Sequence, residues 1–114
     1  MAKKIKEHEK YIVNLTRNAE NDLNEIILFI AQNNPQTPIK IMEEIQEKIN
    51  TLDHFPNRGG YVPELFAKNI KGYRQIVKSH WRIIYKVDDT VVNVLAIIDS
   101  RRNLQDILVK KLLK

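Results

Sequence analysis

The 114 residues contain no cysteine, which excludes a disulfide frame, a thiolate metal site and a cysteine nucleophile. Glycine is scarce, with three in the chain. The Gly59-Gly60 pair lacks a following Lys-Ser/Thr and a strand–helix setting, so it is not a phosphate loop. No apolar run approaches the roughly 18 residues of a helical membrane span. No repeat, low-complexity tract or long linker appears, so no internal domain boundary is expected. No two His, Asp or Glu residues stand at metal-ligand spacing, so neither a metal nor another cofactor is expected. The opening "MAKKIKEHEK" has charge but no apolar core, unlike a secretory signal. A soluble cytoplasmic protein with no membrane partner is the expectation.

What is present fits one α+β domain over 10–114 behind a charged tail, 1–9. The formal charge of +5 conceals an asymmetry. From Lys68 onward eleven Lys/Arg face four Asp/Glu, a balance of +7, whereas residues 11–67 hold four against eight, a balance of −4. The cations therefore belong to the later half, which argues for an acidic partner, protein or nucleic acid.

"KYIVNLT" alternates and is β-branched, predicting a strand over 10–15. Thr16 reads as an N-cap, and Ala19, Leu23, Ile26, Ile27 and Ile30 predict a helix to about Gln32. Thr37 and Pro38 open a second helix, with Ile41, Met42, Ile45, Ile49 and Leu52 on one stripe. The short link makes the two an antiparallel hairpin. "NRGGYVPELF" reads as loop. Strands at 70–78, 81–87 and 90–99 follow, joined through Ser79-His80 and Asp88-Asp89. A helix with Leu104, Ile107, Leu108 and Leu112 on one face closes the chain. The order is β-α-α-β-β-β-α: an antiparallel sheet with the helical hairpin packed on one face.

Arg74, Lys78, Arg82 and Lys86 fall at even four-residue steps. Two-residue turns set Val77 opposite Arg82, and Arg82 opposite Leu95. One face then holds Ile76, Trp81, Ile83, Tyr85, Val87, Val92, Val94 and Ile98, the side expected under the helices. The other carries Tyr73, Gln75, Arg82, Ile84, Lys86, Val91, Asn93 and Leu95, and continues to Asp99 and Arg101. Arg74 and Lys78 belong to the helix-side rim unless a bulge swaps them. The cations thus form two patches, and the neighbourhood of Arg82, Asp99 and Arg101 is the candidate site.

"FPNRGGYVPEL", "GYRQIV", "WRIIYKVDDTVVNVLAI" and "SRRN" before a short apolar helix resemble the RelE/ParE superfamily of bacterial type II toxins. The resemblance runs over about residues 11–113, is nearer to ParE, and includes the "LTRNAENDLNEIILFIAQ" entry into the first helix. It implies a toxin of a plasmid-stabilization type, held by a cognate antitoxin, as a homodimer or a heterotetramer with that antitoxin. A ParE-like chain inhibits DNA gyrase and is no enzyme. A RelE-like chain is a ribosome-dependent mRNA interferase, an endoribonuclease whose matching residues here are Lys78, Arg82 and Arg101. Such cleavage needs a cationic cradle for phosphate and a proton acceptor and donor. Many RNA-cleaving members carry a Tyr or His after the last strand, and "SRRNLQDILVKKLLK" has neither. A non-toxic antitoxin-binding module is the third reading. Target or nucleic-acid contacts are expected at Arg74, Lys78, Arg82, Arg101 and Arg102.

Each of these residues has a plainer reading. Arg82 pairs with Asp99 or lies along the sheet, and Arg101-Arg102 anchor the last helix. His54 and His80 lack an orienting partner that would make either a base. Trp81 and Tyr85 belong to the core rather than to a base-stacking platform.

Overall fold

The computed structural model describes residues 10–33 and 38–100. The tail 1–9, the Thr37 cap, Arg101, Arg102 and the closing helix lie outside the described residues. The elements are β1 (Ile12–Leu15), α1 (Arg17–Asn33), α2 (Pro38–Asn50), β2 (Gly60–Tyr61), α3 (Pro63–Phe66), β3 (Tyr73–Lys78), β4 (Trp81–Asp88) and β5 (Val91–Asp99). A single 3-10 turn, Thr51–Asp53, closes α2. Two elements, β2 and α3, fall in the stretch read as loop from the sequence. Pro63 at the first helical position and Glu64 in the first turn are the local reasons α3 forms.

The sheet runs β1-β5-β4-β3-β2. All neighbours are antiparallel except β1, which lies parallel to β5. Thr16 caps α1 by accepting from the Ala19 amide at 3.2 Å. Ala19, Leu23 and Ile26 of α1, with Ile45 and Ile49 of α2, bury against Ile76, Trp81, Ile83, Tyr85, Val92, Val94 and Ile97. That is the main core, with the helical hairpin on one face of the sheet.

The β3–β4 register is the expected one, with Val77 opposite Arg82. The β4–β5 register is not. The turn sits on Asp89-Thr90 instead of Asp88-Asp89, with Asp89 at φ 56, a left-handed conformation that Asp tolerates. This one-residue move shifts the pairing by two. A bulge then leaves Leu95 without a partner, because pairing jumps from Tyr85↔Val94 to Ile84↔Ala96. Arg82 therefore faces Ile98, not Leu95, and Ile97 replaces Ile98 beneath the helices.

The bulge is held by α1. Asn18 Nδ2 donates to the Leu95 carbonyl at 2.8 Å, and the Ile97 amide donates to the Asp22 carboxylate at 3.0 Å. Asp22 is buried, so this polar pair satisfies backbone groups the ladder has released. Downstream of the bulge, Asp99 lies opposite Trp81. It therefore belongs to the helix-side face, away from Arg82.

Candidate functional site

A second, smaller core covers the far face. Val62 and Leu65 bury on Ile84, Ala96 and Ile98, with Ile70 and Tyr73 beside them. The Val62 amide donates to the Tyr73 carbonyl at 2.9 Å, and the Ile70 amide returns to the Leu65 carbonyl at 2.9 Å. These bonds fold residues 62–70 into a short cover, and the cover carries Glu64 onto the sheet.

Arg82 lies under that cover, only 8% exposed. Its Nη1 and Nη2 donate to the two Glu64 carboxylate oxygens at 2.8 and 2.9 Å. Its Nε donates to Gln75 Oε1 at 2.7 Å, and Nη2 also reaches that oxygen. This is a fork-to-fork pair with an amide on the third side. The hydrogen bond from Arg82 holds the Glu64 carboxyl below its ordinary range, against the opposing effect of burial. The expected neighbourhood of Arg82, Asp99 and Arg101 is thus corrected: Arg82 is taken by Glu64 and Gln75. The bulge separates it from Asp99, and Arg101 lies outside the described residues. A phosphate seeking the same two-pronged face of this guanidinium would have to displace Glu64.

The remaining strand cations divide between the faces as expected. Arg74 and Lys78 lie opposite Tyr85 and Trp81 on the helix side, while Lys86 lies opposite Tyr73 on the far side. At the β2 edge Arg74 donates to the Gly59 carbonyl at 2.7 Å and sits 4.5 Å from the Tyr61 ring centre. The Tyr61 and Phe66 rings stack at 5.5 Å, and Lys71 Nζ lies 5.7 Å from the Phe66 centre. Lys86 Nζ stands 5.6 Å from the Tyr73 ring. The result is a row of guanidinium, ring, ring and ammonium along the sheet edge.

Tyr85 secures the loop that leads into this edge. Its hydroxyl accepts from the Gly59 amide at 3.1 Å, and burial pushes its pKa up. A Cβ on Gly59 would stand 2.2 Å from the Gln75 carbonyl oxygen, so the close approach requires glycine here. Trp81 and Tyr85 are both core residues. His80 packs on Trp81 in its turn, and His54 lies against its neighbour Asp53. Among the described residues no cluster of His, Asp or Glu is placed to hold a metal. Sequence reasoning missed Glu64, Tyr61, Phe66 and Lys71. The Pro63-Glu64 helix start was the only local signal, and nothing local joins Glu64 to Arg82.

This chain belongs to the ParE toxin family. The model for the ParE toxin of the type II toxin–antitoxin system, parDE, matches residues 13–104. No curated protein matches the sequence. Among solved structures, the chromosomal ParDE toxin–antitoxin system from P. aeruginosa is similar at 20% identity and a TM-score of 0.66. That match covers 79% of this chain and 96% of the other. The RelBE2 toxin–antitoxin complex from Mycobacterium tuberculosis is similar at 22% identity and a TM-score of 0.60, over 81% of this chain and 93% of that one. At these identities the likeness concerns the fold.

Proposed function

We propose that this chain is a toxin that inhibits DNA gyrase by binding it, catalyses no reaction itself, and is neutralised by a cognate antitoxin. The observation that carries this reading is the state of Arg82. A nuclease of the RelE type needs that strand cation free for a scissile phosphate, whereas here Glu64 and Gln75 occupy its donors. A binding toxin has no such need, and Arg82 then serves to fix the cover on the sheet. The target contacts are Arg74 and Lys78 at the rim, with Arg101 and Arg102 following the last strand. Gyrase as target places the protein in the cytoplasm.

The test adds purified protein to gyrase with relaxed plasmid, and separately to a translating extract with messenger RNA. The expected result is loss of supercoiling in the first and no A-site cuts by primer extension in the second. Arg101→Glu should abolish the gyrase effect while the far-ultraviolet circular dichroism spectrum stays unchanged. A-site cutting with gyrase unaffected would establish the endoribonuclease reading instead.

A further inference from the structure

Between residues 54 and 87 the chain has seven Lys/Arg and one acidic residue, Glu64. Glu64 is bound to Arg82. The other six cations, Arg58, Lys68, Lys71, Arg74, Lys78 and Lys86, form no ion pair among the described residues. A surface of one sign without counter-charges of its own draws an anionic partner.

The placement of these cations describes the partner's shape. Arg58 donates to Thr51 Oγ1 at 2.7 Å, at the foot of α2, and Arg74 lies on the same, helix-bearing side of the sheet. Lys68 and Lys71 belong to the other side. Lys68 follows α3 in the cover, and Lys71 Nζ lies 5.7 Å from the Phe66 ring. Between the two pairs runs β2, an edge strand of two residues, Gly60–Tyr61. A thin edge with cations on both flanks fits an anion that has two charged walls. The major groove of duplex DNA, about 12 Å wide, admits a two-stranded β-ribbon between its two phosphate backbones. The contacts from Arg74 through Tyr61 and Phe66 to Lys71 span at most roughly 16 Å, a length of duplex axis that carries about nine phosphate charges. An extended acidic peptide would cover one flank and leave the other bare. Single strands bind by stacking bases on open ring faces, and here Tyr61 already carries Arg74 and Phe66 already carries Lys71.

We infer that the β2 edge is a ridge for the major groove of duplex DNA, with Arg58 and Arg74 against one phosphate backbone and Lys68 and Lys71 against the other. Phosphate contacts carry no sequence information, so the binding is independent of base sequence. The source of the duplex rests on the proposed gyrase reading: the toxin touches the DNA that gyrase holds, as well as the enzyme.

The test measures fluorescence anisotropy of three labelled probes with the full chain and no gyrase: a short duplex of mixed sequence, oligothymidylate of the same length, and polyglutamate. The duplex should bind tightest, and four phosphate contacts should weaken it about a hundredfold between roughly 50 and 200 mM salt. The double variant Lys68→Glu, Lys71→Glu alters two exposed side chains. It should weaken duplex binding at least about tenfold, with an unchanged thermal unfolding curve, and should inhibit gyrase correspondingly less. Lys68→Gln, Lys71→Gln should lower the salt slope by about two. Tighter binding of oligothymidylate or polyglutamate, no binding of the duplex, a salt slope that neither variant changes, or equal gyrase inhibition by the wild-type chain and the Glu variant would each overturn the inference. If the wild-type chain leaves gyrase untouched while duplex binding and its loss in the variants are as expected, the gyrase reading fails and the DNA-binding ridge stands.

Discussion

Ile83 and Ile84 are adjacent on β4 and both fully buried, yet they enter different cores. Ile83 points into the main core, where two long helices supply its neighbours. Ile84 points into a layer made of Val62, Leu65, Ala96 and Ile98, closed by a four-residue helix. The first face is held by the larger apolar core, with Asn18 and Asp22 of α1 bonded to the β5 backbone. The second has a smaller apolar cluster, and its cover is also tied down by the Arg82–Glu64 fork. The comparison teaches what decides an arginine's role on a small sheet. Spacing selects the face it points to, and the chain that covers that face determines whether it is free to bind.

The contrast can be broken most severely at its apolar side. Ile83→Ala should cost about 4 kcal/mol by urea unfolding, because the helix-side core cannot collapse onto the gap. Ile84→Ala should cost about 2 kcal/mol, since the thin cover can settle inward. Equal losses would mean that the two layers are equally rigid.

Glu64→Ala leaves the Arg82 charge under the cover without its carboxylate and should cost about 3 kcal/mol. It should also raise hydrogen exchange over residues 62–70 while α1 and α2 stay protected. The wild-type protein should show a gentler version of the same loss with acid. Glu64 has a folded pKa below its unfolded one, so its contribution is complete above the ordinary Glu range. It is lost as pH falls through the depressed folded value. The cover should therefore loosen there before the helices unfold, whereas a single transition across both regions would show that the two faces are not separable.

Much of the fold was legible because it rests on local patterns. The Thr16 cap, the helical stripes ending at Leu52 and the β3–β4 hairpin all follow from residues close in sequence. What was not legible depends on distant partners. The Leu95 bulge exists because Asn18 and Asp22 reach across from α1, and no feature of "TVVNVLAIID" announces it. That single extra residue carried Asp99 to the other face and dissolved the expected Arg82–Asp99 neighbourhood. Glu64 was unreadable as the partner of Arg82 for the same reason: the fork joins a segment read as loop to the middle strand. The division of Arg74 and Lys78 from Arg82 and Lys86 was legible, because the pleat alone dictates it.

A double-mutant cycle on Glu64→Gln and Arg82→Gln, followed by urea unfolding, tests the central claim most directly. The guanidinium of Arg82 is structural, bound within the fold by Glu64. The two single losses together should therefore exceed the loss in the double variant by about 2 kcal/mol. Additive single losses, with Glu64→Gln leaving stability untouched, would contradict that role and return Arg82 to the surface as a free ligand-binding cation.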